Sequence, residues 1–135
     1  MKTILLDFDG TCVAHEYPFV GEDIGAQQVL HDLVSNGHKL ILFTMRSEIN
    51  YLDDALAWFQ EQGISLYGVQ SHPEQKSWTA SPKAYGEIII DDTMLGAKLV
   101  DGRYLNWQWA AEMLCERGLI TPEQLAAYDF RLYVY

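Results

Sequence analysis

The chain has 135 residues, 49% of them apolar and 21% charged, a balance that fits one globular domain (1–135) with a core of its own. Nine basic against nineteen acidic residues give a formal charge of −10, which argues against extended nucleic acid as a partner because no basic stripe exists to displace its counterions. Two cysteines, Cys12 and Cys115, are too few and too far apart for a disulfide framework or a zinc site, so a reducing cytoplasm is the expected setting.

In chain order, "MKTILLDFDG" breaks its apolar run with aspartates too early for a signal peptide or a membrane span. Within it, "TILLDF" (3–8) reads as a buried strand. A helix follows over 26–34, with Ala26, Val29, Leu30, Leu33 and Val34 on one face and Gly37 as its stop. "HKLILFT" (38–44) is the second strand. Leu52, Ala55, Leu56 and Phe59 then mark a second helix ending at Gly63. "LYGV" (66–69) is a weaker third strand and "EIIID" (87–91) a strong fourth. A helix over 107–117 ends at Gly118, "TPEQ" (121–124) carries a capping box, and the tail "FRLYVY" alternates like an edge strand. Apolar runs alternating with amphipathic helices predict right-handed crossovers and a three-layer, Rossmann-like α/β domain with a mainly parallel central sheet. Two irregular stretches, 10–22 and 70–82, are long enough to expect function of them.

Ligands of an open α/β sheet sit beyond the carboxyl ends of its strands. Those ends carry Asp7 and Asp9, then Thr44 and Arg46, then Asp91 and Asp92. If strand geometry persists, Asp7 and Asp9 point to the same side. Like charges so close need a cation, and a hard divalent ion, Mg²⁺ foremost, suits an all-oxygen donor set while leaving waters for a phosphate to replace. Lys83, at the mouth of the long loop, is a second source of positive charge.

The chain resembles the haloacid dehalogenase-like (HAD) superfamily of phosphohydrolases. The likeness rests on Asp7-Phe8-Asp9-Gly10-Thr11, Thr44, Lys83 and Asp91-Asp92, all in order and spanning residues 4 to 92. It implies that Asp7 is the nucleophile that forms an aspartyl-phosphate, and that Asp9 protonates the leaving oxygen and then activates water. Thr44 would bind a phosphoryl oxygen and Lys83 would balance its charge. Gly10, Thr11 and Arg46 fall on the substrate side. The metal would be held by Asp7, the backbone carbonyl of Asp9 and the acidic pair, with Asp92 as the direct ligand and Asp91 in support. Only 33 residues separate Gly10 from Thr44 and 38 separate Thr44 from Lys83, too few for a cap domain. A capless site in this superfamily implies a phosphorylated and large substrate, or a neighbouring subunit of a homo-oligomer acting as lid, with His15 and Tyr17 as a small flap. No membrane is expected.

Blander readings stand beside these. Arg46 either reads the substrate or pairs with a carboxylate such as Glu48. Cys12 reads as a small buried thiol, His15 and His72 as plain loop residues, and Asp53-Asp54 as acids favourable early in a helix. Lys76 is the rival of Lys83, and Trp78 and Tyr85 read as packing. Trp107 and Trp109 read as the core and surface of one helix. The functional rival is a non-enzymatic phosphate-receiving or phospho-ligand-binding module; a receiver domain has its acidic pair first and its lysine last, whereas here the pair comes last.

Overall fold

The computed structural model describes residues 1–133. Four parallel strands, β1 (Thr3–Leu6), β2 (Lys39–Leu42), β3 (Gly68–Val69) and β4 (Ile88–Ile90), form a sheet in the order β3-β2-β1-β4. Helix α1 (Ala26–Ser35) joins β1 to β2, and α2 (Ile49–Gln62) joins β2 to β3. After β4 come a small antiparallel hairpin of β5 (Leu99–Val100) and β6 (Tyr104–Leu105), then α3 (Trp107–Glu116) and α4 (Pro122–Ala127). No helix is long and apolar enough to cross a membrane among the described residues.

The register Ile4↔Leu40 and Ile4↔Ile88 places β1 at the centre, and the strand order reverses there. Side chains alternate along each strand, so Ile4, Leu6, Leu40 and Leu42 face one way and Leu5 and Ile41 the other. The first set joins α1, α2 and α3 in one large core, with Phe8 wedged against Trp58 and Phe59. The second set packs with Ala84 and Tyr67 in a much smaller cluster among the described residues. The expected three layers are therefore two regular layers plus an irregular one. The connection from β3 to β4 crosses the second face as loop and a single short 3-10 turn, Gln75–Ser77. The reason is visible in "SHPEQKSWTASP", which carries two prolines and no helical apolar stripe.

Local signals account for most boundaries. The Asp23 carboxylate caps α1 by accepting from Ala26 N at 3.0 Å and Gln27 N at 3.2 Å. Gly63 ends α2 in the left-handed region, and Thr121 and Gln124 form the expected capping box on α4. Asp53 and Asp54 are exposed in α2 but lie past its first turn, where the macrodipole counts for little. The tail is a correction: Phe130 belongs to no strand and residues 131–133 form a turn, while Val134 and Tyr135 of "FRLYVY" lie outside the described residues.

Candidate active site

β1 ends at Leu6, and Asp7 N still donates to Ile90 O at 3.0 Å, so Asp7 sits beside the end of β4. The chain then bends. Thr11 N and Cys12 N both donate back to Phe8 O, and Gly10 adopts a φ of +79°. That bend breaks the alternation which would have kept Asp7 and Asp9 on one side. Asp7 turns toward β4 and Asp9 toward β2.

On the β4 side, Asp7, Asp91 and Asp92 each offer an oxygen within 4.8 Å of the others. β4 stops at Ile90, so alternation no longer separates Asp91 from Asp92 and both reach the cluster, whereas the sequence assigned Asp91 only a supporting place. Thr11 Oγ1 lies 2.8 Å from Asp7 Oδ2 and 3.0 Å from Asp92 Oδ1. Its single proton serves one carboxylate at a time, and its oxygen accepts from Asp92 N at 3.0 Å. Asp91 Oδ1 accepts from Thr93 N at 2.9 Å and Thr93 Oγ1 at 2.8 Å. Burial pushes the Asp7 carboxyl up to about 7, and the charge of Asp91 adds to this against the hydrogen bond from Thr11.

Among the described residues, no cationic side chain pairs with Asp7. Three hard oxygen donors at this spacing fit Mg²⁺, whose ligands stand about 2.1 Å from the ion and so about 4.2 Å apart across it. The Asp9 side chain is not part of this group, which corrects its placement beside Asp7; only its backbone carbonyl remains for the contact that the resemblance implies.

On the β2 side, Asp9 meets Arg46. Nε donates to Asp9 Oδ2 and Nη2 to Asp9 Oδ1, both at 2.7 Å. The remaining guanidinium protons go to backbone carbonyls: Pro18 O at 3.2 Å, Tyr51 O at 2.9 Å and Phe19 O at 2.9 Å. All five N–H groups are used, and the side chain is 1% exposed against 12% for Asp9. Arg46 therefore has no donor left for a substrate. Its partner is Asp9 rather than Glu48, and it ties the 17–19 loop and the start of α2 to the motif.

Gly10 and Thr11 are also corrected as substrate contacts. Thr11 is fully buried, its hydroxyl committed to the two carboxylates and its carbonyl to Trp107 Nε1 at 2.6 Å. Gly10 donates to Val13 O and accepts from Leu105 N, and a Cβ there would stand 2.6 Å from Asp92 Oδ2. Glycine is what lets the fourth-strand carboxylate approach the first-strand loop.

Thr44 lies just past β2, with Oγ1 accepting from Arg46 N at 3.2 Å. Lys83 is exposed, and its ammonium forms no ion pair among the described residues; its carbonyl accepts from Gln75 Nε2 at 2.6 Å. Cys12 is buried with its thiol against Asp7 O at 3.3 Å, and burial raises its pKa, so it stays an unreactive thiol. His15 and Lys76 are exposed. Trp78 and Tyr85 form edge-to-face pairs with His72 at 5.0 and 6.0 Å. Trp107 is core and Trp109 half-buried, as the helix pattern required.

Two organising residues escaped the sequence reading. Gln70 Nε2 donates to Thr44 O at 2.6 Å and Arg46 O at 3.0 Å, while its Oε1 accepts from Thr44 N, so it fixes the loop after β2. Its position just beyond a carboxyl strand end was the available signal. The Trp107 contact with Thr11 spans 96 residues and had none.

No family model and no curated protein matches this chain. Among solved structures it is similar to the conserved protein coded by a locus from Bacteroides thetaiotaomicron, at 32% identity over 86% of this chain and 91% of that chain, with a TM-score of 0.72. At that identity and coverage, the chain belongs to the same family as this conserved protein.

Proposed function

We propose that the protein is a Mg²⁺-dependent phosphatase that hydrolyses a phosphomonoester by way of a phosphorylated Asp7. The supporting observation is the convergence of Asp7, Asp91 and Asp92 at the carboxyl edge where the strand order reverses. The metal would supply the positive charge that lets an anionic nucleophile meet an anionic phosphate. An Asp7 oxygen attacks phosphorus and the bond to the alcohol oxygen breaks, with Asp9 giving that oxygen a proton. Asp9 then takes a proton from water, which adds to phosphorus and releases inorganic phosphate and free Asp7. On this reading Thr44, just past β2, and Lys83 would bind the phosphoryl oxygens. Asp9 has to exchange one of its Arg46 hydrogen bonds for the substrate in each step.

That same clamp favours a second reading. With both Asp9 oxygens occupied, the site suits a module in which Asp7 receives or binds a phosphoryl group without hydrolysing it. A phosphatase panel with Mg²⁺ separates the readings. The wild type is expected to turn over at least one phosphomonoester, and Asp7→Asn to lose about three orders of magnitude of that rate or more. Equal phosphate release by both proteins overturns the proposal. A stable phosphoprotein without turnover selects the receiving module.

A further inference from the structure

Helix α3 starts beside the motif loop. Leu105 N donates to Gly10 O at 2.9 Å and Trp107 Nε1 to Thr11 O at 2.6 Å, so the helix runs away from the carboxyl edge of the sheet. β4 runs toward that edge and is the outermost strand on its side among the described residues. Between the two lies a groove of about 270 Å³, close to the lower end of the range for small-molecule sites. All three residues of β4, Ile88–Ile90, line it. Facing them are Trp109, Met113, Leu114 and Arg117, at the spacing of one helix face. The turn after Asp92 adds Met94 and Leu95.

This apolar groove carries charge at two places. Asp91 lines it and is also one of the three carboxylates of the cluster, so groove and cluster share a wall. Arg117 lies at the other end of the helix; from Trp109 to Arg117 the chain climbs about 12 Å. Arg117 is the one cationic residue among those lining the groove, it is exposed, and its guanidinium forms no ion pair among the described residues. A chain at −10 repels a doubly anionic ligand, and an unpaired guanidinium is the feature that offsets this, because its fork matches a carboxylate or phosphate with two parallel hydrogen bonds. A second copy adding its own β4 to this edge is disfavoured: antiparallel pairing about Ile89 sets Glu87 of one chain against Asp91 of the other.

Resting on the phosphatase reading, we infer that the groove between β4 and α3 holds the alcohol portion of the substrate, an apolar body whose far end carries a second anionic group paired with Arg117. Hydrolysis then adds water across the phosphorus–oxygen bond and yields inorganic phosphate and an apolar alcohol that keeps its anionic end.

The test compares the phosphate monoester of ω-hydroxyoctanoate with octyl phosphate, two primary alkyl esters with matched leaving groups that differ in the terminal carboxylate. With Mg²⁺ present, the wild type is expected to favour the carboxylated ester in kcat/KM by about tenfold or more. Arg117→Gln should bring the ratio near one. Arg131→Gln, at an exposed arginine in the C-terminal turn outside the groove, should leave the preference as it was. Calorimetric binding of the same two esters to Asp7→Asn reads the preference without turnover. Turnover of both esters at a ratio near one overturns the inference and leaves the phosphatase reading intact. A preference that survives Arg117→Gln overturns it as well, since an arginine serving only the negative end of α3 would change the melting temperature and not the ratio. Preferential binding of the carboxylated ester with no turnover of any ester by the wild type overturns the phosphatase reading and keeps the groove.

Discussion

Asp7 and Asp9 are separated by one residue, Phe8, and are the same chemical group, yet they occupy opposite electrostatic surroundings. Asp9 has its counter-charge built in: a buried arginine delivers two parallel hydrogen bonds at 2.7 Å. Asp7 has other carboxylates for neighbours and a hydroxyl that they share. The first arrangement is complete without any ligand. The second needs a proton or a cation to offset its charge, and on the proposed reading a metal supplies the latter. One carboxylate is neutralised by an arginine the fold supplies, while its neighbour lies among other carboxylates.

The strongest way to break this contrast is to remove each partner in turn. Asp7→Asn should abolish turnover by about three orders of magnitude while leaving the fold intact, as judged by circular dichroism. Arg46→Ala should instead unfold the protein more readily, by about 3–5 kcal/mol in urea titration, because it strands the Asp9 carboxylate and three backbone carbonyls. Arg46→Lys keeps the charge but not the fork, and a loss on the order of 1–3 kcal/mol is expected from the same titration.

A smaller effect sharpens the contrast through pH. The folded protein holds a proton on Asp7 up to about pH 7, whereas the unfolded chain has released it near the ordinary carboxylate value of 3.8. The native state binds more protons in that window, so the Asp7 contribution to stability falls as pH rises from about 4 to about 7. Measured as the difference between wild type and Asp7→Asn in metal-free buffer, the wild type should lose ground across this range, by on the order of 1 kcal/mol once solvent screening is counted. Mg²⁺ should recover that loss at pH 8 and have little effect at pH 5. A pH-independent difference would remove Asp7 from its charge-deficient setting. A change of comparable size is Trp107→Phe, which deletes the 2.6 Å bond to Thr11 O and should cost about 1–2 kcal/mol by thermal melting.

Much of the fold was legible because it is written in local patterns. The apolar runs at 3–8, 38–44 and 87–91 become β1, β2 and β4, and the helical stripes end at the glycines expected of them. The weak strand at 66–69 is correspondingly short, two residues long. The β5–β6 hairpin was missed because it has two-residue strands and too little alternation to read. The third layer was misjudged because layer counting assumes that a crossover carries a helix, and this one carries prolines.

The candidate site divides along the same line. Sequence alone determined that acidic and hydroxyl residues stand at three strand ends, since composition and period are properties of neighbouring residues. The tertiary structure alone decided their employment. Arg46 lies 37 residues from Asp9 and Asp92 lies 81 from Thr11, and no periodicity reaches that far. The bend at Gly10 sent two equivalent aspartates to different partners and turned Thr11 from a substrate contact into a bridge between carboxylates. The physical reason is that a buried charge answers to whichever group the fold brings within hydrogen-bonding distance, and a sequence records only which groups are available.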